Sequence, residues 1–188
     1  MQEIKRGLII FLLLTVLTGL IYPLFITGVA QLVWSSKANG SLITRDGKVI
    51  GSKLIGQMFA SSKYFHSRPS SVNYKGSISG ASNLGPTSKR LLEQVQNQIN
   101  KVREENFLSS DSPIPSDLVL SSGSGLDPHI SKEAALLQAP KVAKARNISL
   151  EKVQKLIHKN TEPPQLKIFG HPKVNVLTLN LDLDKLGE

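Results

Sequence analysis

From Gly7 to Ser36 the chain carries no Asp, Glu, Lys or Arg. Residues 7–33 of that run, GLIIFLLLTVLTGLIYPLFITGVAQLV, are almost wholly apolar, and no comparable stretch recurs in the 188 residues. About 20 such residues take a helix across the ~30 Å hydrocarbon core of a bilayer. The run therefore predicts a transmembrane helix over residues 7–33, with length to spare for tilt. It divides the chain into a tail, residues 1–6, the span, and one water-soluble domain, residues 34–188.

The run far exceeds the apolar stretch of a cleavable signal peptide, and Gly28-Val29-Ala30 is a poor cleavage pattern, so an uncleaved anchor is expected. Lys5 and Arg6 abut its N-terminal end and favour a cytoplasmic N-terminus. Lys37, Arg45, Lys48 and Lys53 on the other flank, partly offset by Asp46, weaken that rule. The expected topology is single-pass, with an extracytoplasmic C-terminal domain. Thr15, Gly19 and Pro23 follow one another at intervals of four, a small-residue strip that lets a second helix approach closely. Pro23 lacks a backbone donor and should disturb the helix, which is tolerated best beside a protein neighbour. The strip predicts docking into a larger membrane complex.

The soluble part has the length of one ordinary domain. Net charge is +9, and 21 of the 23 Lys and Arg residues follow the span. These charges are scattered rather than blocked and aromatic residues are few, which argues against nucleic acid as a partner. The absence of cysteine excludes disulfides, thiolate metal sites and a cysteine nucleophile.

Periodicity predicts an α+β domain with a small sheet. Asp46-Gly47 between short β-prone runs, residues 42–50, signals a hairpin. Residues 52–59 read as helical. Residues 64–86, rich in Ser, Gly, Asn and Pro, read as an ordered loop. Residues 87–107 give the clearest helix, with Leu91, Leu92, Val95, Ile99 and Val102 on one stripe. Residues 110–115 read as a linker and residues 117–120 as a short strand. Ser131 and Ser149 are N-caps, Pro140 should open a separate helical piece over residues 141–146, and Pro163-Pro164 should end the helix begun at Leu150. Leu177, Leu179, Leu181 and Leu183 alternate with polar residues, the period of a half-buried strand.

Few residues suggest chemistry. The loop Ser122-Gly123-Ser124-Gly125, ahead of a helix, could aim backbone N–H groups at an anion or nucleotide. It is neither a Walker loop nor a nucleophile elbow; where Gly80 to Thr87 comes nearest the former, Pro86 stands in place of the lysine. Asp127 and His129 lack companions at metal-ligand spacing. His66, His158 and His171 are isolated. Tyr64-Phe65-His66-Ser67-Arg68 puts aromatics beside an arginine, a composition common at protein contacts. A membrane-anchored extracytoplasmic serine hydrolase is the alternative reading.

Six ordered blocks together carry a resemblance. They are Thr18-Gly19-Leu20-Ile21-Tyr22-Pro23; Ala38-Asn39-Gly40-Ser41; Gly51 to Phe59; Tyr64-Phe65 with Arg68-Pro69-Ser70 and Ser82-Asn83-Leu84-Gly85-Pro86; Asp117-Leu118-Val119 with Ser122 to Ser131; and Val174 to Leu177 with Leu179-Asn180-Leu181. In these the chain closely resembles the C subunit of the Kdp-type potassium-transporting P-type ATPase. His171, where the family often has an acid, and Pro140, within a helical Gln-x-x-Arg-Val-Ala pattern, depart from it. The resemblance implies a non-catalytic subunit in the cell (inner) membrane, without a tightly bound cofactor. Its partners would be a channel-like potassium-binding subunit and a P-type subunit that hydrolyses ATP. It would assist assembly and raise ATP affinity in the manner of a catalytic chaperone, meeting ATP through the complex. Thr15, Gly19, Tyr22 and Pro23 in the span, and Arg68, Asn83, Gly85, Pro86, Asp127 and His129 in the domain, are the expected interface residues. The chain has no phosphorylatable DKTG-type sequence and no Walker lysine, as a non-enzyme would.

Overall fold

The computed structural model describes residues 1–186 and divides into two compact units, Met1–Ser52 and Lys53–Glu188. Architecture is mixed: a long apolar N-terminal helix, and a helical domain built around small sheets.

The N-terminal helix runs over Gln2–Ala38 as α1 (Gln2–Val16), a π-helical turn (Leu17–Ile21) and α2 (Tyr22–Ala38). None of its residues is buried. The wide turn lies directly before Pro23, whose missing N–H and bulky ring are incompatible with a regular bond to the Gly19 carbonyl. Instead the Tyr22 N–H reaches back to the Leu17 carbonyl, giving the ring room. The extra residue turns the following helix back by about one residue's 100°. Thr15 and Pro23, eight apart in sequence, thus lie nearly two whole turns apart on one face. The Thr15 and Thr18 hydroxyls donate to the Phe11 and Leu14 carbonyls at 2.8 and 2.7 Å, satisfying them without a partner from outside. After this helix, β1 (Leu42–Arg45) and β2 (Lys48–Ser52) form the expected antiparallel hairpin. Asp46 and Gly47 both take left-handed backbones, φ 53° and 74°, as a type I′ turn demands.

In the second unit, helices α3 (Lys89–Asn106), α4 (Lys132–Arg146), α5 (Leu150–Lys159) and α6 (Val176–Asp184) accompany a three-stranded antiparallel sheet ordered β3-β5-β4. The strands are β3 (His129–Ser131), β4 (Thr161–Glu162) and β5 (Lys173–Asn175). Helix α4 is central: Ala134, Ala135, Ala139, Val142 and Ala143 are all buried. Its small side chains let neighbouring elements close in around it, and Ile130, Val153, Ile157, Val174, Leu179 and Leu183 complete the core. Ser88, Ser131, Ser149 and Asn175 each cap a helix by accepting a backbone N–H.

Four expectations from periodicity are corrected. Residues 177–183 are helical: the buried positions Val176, Leu179, Asn180 and Leu183 recur at the 3, 4 and 7 spacing of a helix face. The alternating leucines masked that period, and Leu181 is only half-buried. Residues 117–120 belong to a 3₁₀ turn, Ser116–Leu118, and its exit; only Leu118 there is buried, too little to hold a strand. Residues 52–59 leave β2 through a turn into irregular chain, because Gly56 lies against the Leu126–Asp127 backbone: a Cβ at Gly56 would stand 2.6 Å from the Asp127 carbonyl oxygen. Helix α4 passes through Pro140 unbroken. Pro140 is exposed, so the Leu136 carbonyl deprived of its bond lies towards water.

Phe65, wholly buried, is carried by the long loop over residues 64–86. The Phe65 N–H donates to Asn180 Oδ1 at 2.9 Å, and Asn180 Nδ2 donates to the Phe65 carbonyl at 3.0 Å. The Gln138 amide does the same for His66, accepting from its N–H at 2.8 Å and donating to its carbonyl at 3.2 Å. Both carboxamides are about 1% exposed. Asn180→Leu keeps the branched outline of the side chain but strands a buried N–H and C=O, which should cost about 2–4 kcal/mol. Urea unfolding of the full chain in detergent should show a lower midpoint, and a midpoint within error of the parent would refute the assignment.

Candidate functional site

Sequence from Asp117 to Ser131 converges on the free edge of β3. The ladder with β5 uses Ile130 opposite Val174, and the Val176 N–H donates to the Pro128 carbonyl at 2.9 Å. The intervening His129 and Ser131 N–H groups consequently face outward. Two carboxylates take them: Asp127 Oδ1 accepts from His129 N at 3.0 Å, and Asp117 Oδ2 from Ser131 N at 2.6 Å. Asp117 also accepts from the Ser131 hydroxyl at 3.2 Å, while that oxygen caps α4 through the Ala134 N–H. The edge is thereby closed to an added strand.

Asp127 further joins Arg68 to His129. Arg68 Nη1 lies 3.2 Å from Asp127 Oδ2, and His129 Nδ1 3.5 Å from Oδ1. Burial by itself would raise the Asp127 carboxyl's pKa. Hydrogen bonds from the His129 ring and backbone, with the Arg68 charge, outweigh it and hold the group below the usual carboxylate range. Arg68, Asp127 and His129 line a cleft of about 970 Å³ together with Asp117, Ile114 and Lys173. Of the domain residues predicted from sequence, these three are the ones brought together. Asn83, Gly85 and Pro86 are exposed at the far end of the same 64–86 loop, where their neighbours Ser82 and Leu84 border another hollow. Thr15, Gly19, Tyr22 and Pro23 belong to the N-terminal unit and stand exposed.

The Ser122–Gly125 loop is packed into the domain as a clasp. Gly125 has φ 69°, and a Cβ there would meet the Gly80 carbonyl oxygen at 2.8 Å. Amides of Gly125, Leu126 and Asp127 donate to the Ser122 carbonyl, Ser124 Oγ and Ser122 Oγ. The Ser124 carbonyl accepts from Gly80 N at 2.9 Å, and the Gly125 carbonyl from Ser70 Oγ at 2.6 Å. Both Ser122 and Ser124 hydroxyls thus serve as turn acceptors, so the serine-hydrolase alternative gains no support.

Sequence reasoning missed a second polar cluster, around His66 of the 64–86 loop. Glu105 Oε2 lies 3.2 Å from His66 Nδ1 and 3.7 Å from Nζ of Lys141, which is buried. Its signal was the helix register: Glu105 closes α3 and Lys141 falls on the inward face of α4. Burial lowers the pKa of Lys141, outweighing the attraction and hydrogen bond of Glu105 that raise it, and the Lys101 charge adds a smaller lowering. Burial first, then the Lys141 charge, also lowers that of His66.

With this geometry in place, comparison with known proteins identifies the family. The model of "K+-transporting ATPase, c chain" matches residues 4–185. The chain belongs to the KdpC family. A Mycobacterium tuberculosis (strain ATCC 25618 / H37Rv) protein named "Potassium-transporting ATPase KdpC subunit" is 50% identical over 187 residues, covering 98% of this chain and 99% of that protein. Proteins of the same name from Rhodospirillum rubrum and Methylobacterium nodulans are 49% and 44% identical, covering 98% and 100% of this chain and 96% and 98% of their own. Family membership therefore extends through both units, including the helix and the β3 edge.

His66 has a pH signature. Unfolded, it takes up a proton below about pH 6.5; folded, it does so only at lower pH, so its contribution is fully present above that value and is lost as pH falls towards the native pKa. Urea midpoints of the full chain between about pH 5 and 8 should fall on the acid side. In His66→Asn that acid decline should be shallower, and an identical pH profile would refute the assignment.

Proposed function

We propose that this chain is a non-catalytic subunit of an ATP-driven potassium uptake complex, and that it helps the complex assemble and raises the ATP affinity of the hydrolysing subunit. The observation that carries this reading is the end-to-end similarity to potassium-transporting ATPase KdpC subunits. Its partners on this reading are a channel-like potassium-binding subunit, a P-type ATP-hydrolysing subunit and the membrane, with no nucleic acid. ATP is met through the complex, not as a cofactor of this chain.

The chain spans the cell (inner) membrane once, with its N-terminus in the cytoplasm and its domain outside. Supporting a membrane location is a helix of 37 residues, long and apolar enough to cross. An external domain cannot touch cytoplasmic ATP, so its influence on nucleotide affinity is a coupling free energy transmitted through the span and the partner subunits. The clasp formed by Ser122–Gly125 fits that indirect route, since the Gly125, Leu126 and Asp127 amides are engaged internally. In the span, the common face of Thr15 and Pro23, with Gly19 in the wide turn between them, supplies a close-approach surface. Arg68, Asp127 and His129 form the domain's polar contact.

Gly19→Leu and Thr15→Leu should insert normally but reduce co-purification with the two larger subunits about tenfold, a loss near 1.4 kcal/mol. Unchanged recovery of the complex with both variants would reduce the helix to a tether. Orientation is tested separately in this cysteine-free chain: Ser124→Cys should react with a membrane-impermeant maleimide in intact cells. Reaction only after permeabilisation would place the domain in the cytoplasm.

A further inference from the structure

Between β4 and β5 the chain makes a narrow, self-closed tip. Gln165 and Phe169 exchange both backbone hydrogen bonds at 2.9 Å, Lys167 N donates to the Pro164 carbonyl at 2.9 Å, and Ile168 N to the Gln165 carbonyl at 3.2 Å. Leu166 and Lys167 hold left-handed backbones, φ 53° and 63°, a conformation uncommon for side-chain-bearing residues, fixed here by the turn's own hydrogen bonds. The turn is therefore a defined shape, yet it covers nothing. Leu166, Ile168 and Phe169 are 79%, 78% and 63% exposed. Three large apolar side chains on five consecutive residues form a cluster, unlike singly scattered surface leucines.

The charge around this point has one sign. Residues 163–172 contain Lys167 and no Asp or Glu. Lys173 follows at the base, where it pairs with Glu162 at 3.7 Å. A convex apolar point bearing a cation has the composition of a segment that enters the headgroup–acyl boundary of a bilayer, with its hydrocarbon in the lipid and its ammonium among anionic headgroups. A fluid interface accepts a convex point without a matching socket. The chain's own span keeps the domain near such an interface, so that even weak insertion is sustained by tethering.

We propose that the Gln165–Phe169 tip inserts into the interface of an anionic bilayer and gives the domain a second hold on the membrane. The tip residues Gln165–Phe169 lie outside the lining of the polar cleft at β3, and insertion requires neither potassium nor ATP. It holds for either orientation of the span, because it needs only an anionic leaflet.

The absence of cysteine allows a direct test. A nitroxide is attached at Ile168→Cys in the full chain reconstituted into phosphatidylethanolamine–phosphatidylglycerol vesicles, with Ser109→Cys as the solvent reference. Oxygen and a water-soluble nickel chelate then compete as relaxation agents. Expected is a several-fold higher ratio of oxygen to nickel accessibility at position 168 than at 109, without any partner subunit, and its collapse when Leu166→Ser and Phe169→Ser are added. The ratio should also fall in vesicles of phosphatidylcholine alone. Equal ratios at 168 and 109 would overturn the proposal. Shielding of position 168 from both agents that develops only with the partner subunits would replace lipid by a protein socket and equally overturn it. Insertion of the same strength in neutral and anionic vesicles would overturn the assignment to anionic lipid.

Discussion

The domain depends on two buried carboxamides. Gln138 and Asn180, from α4 and α6, hold the backbone of Phe65 and His66 by four hydrogen bonds. An extended segment entering a helical core brings peptide groups that have no ladder partner, and leaving them bare would oppose burial of the Phe65 ring. Side-chain amides, each with a donor and an acceptor, reproduce the pairing a neighbouring strand would offer. Once His66 is placed, Arg68 two residues on reaches Asp127, and the loop over residues 69–80 comes against the Ser122–Gly125 clasp. The polar contact at β3 is thus a consequence of how the Phe65 segment is pinned.

A second device serves the same surface. Short strands hold few ladder bonds, and β3 has only three residues. Asp117 and Asp127 take its outward N–H groups. Asp117 couples the strand edge to the start of α4 through the Ser131 cap, and Asp127 couples it to Arg68. Each aspartate therefore has a structural task before any partner arrives, and Asp127 remains ionised at neutral pH because those same contacts favour its charged form. Asp117 to Ser131, one of the blocks that carry the family resemblance, accordingly builds a strand edge, a helix cap and the link to Arg68 from the same few residues.

Much of this was readable along the chain, and the failures have physical causes. The charge-free run, the Asp46-Gly47 turn and the serine caps are local: each is decided by residues within a turn of one another. Leu92 was placed on the buried stripe of α3 yet is 59% exposed, because the core touches only part of that helix, chiefly near Val102. The leucine alternation over residues 177–183 fits two periods, and burial of Asn180 beside Leu179 chose the helical one. Asp127 and His129 were weighed together and Arg68 apart from them; nothing in the 59 positions between Arg68 and Asp127 showed that they meet.

The sequence by itself determined the class of molecule. An uncharged apolar run cannot remain in water, and it fits a bilayer whatever the rest of the chain does; ordered family blocks along its length then determined the kinship. Tertiary structure decided which polar residues work together. Nothing along the chain marked Gln138 and Asn180 as buried, Asp117 as the partner of a strand edge, or Leu166, Ile168 and Phe169 as exposed. Burial pairs the first two with a backbone 72 and 115 residues away, and exposure leaves the last three bare. Hydrogen bonds and apolar contacts act through space, and only the folded chain sets which residues lie within their reach.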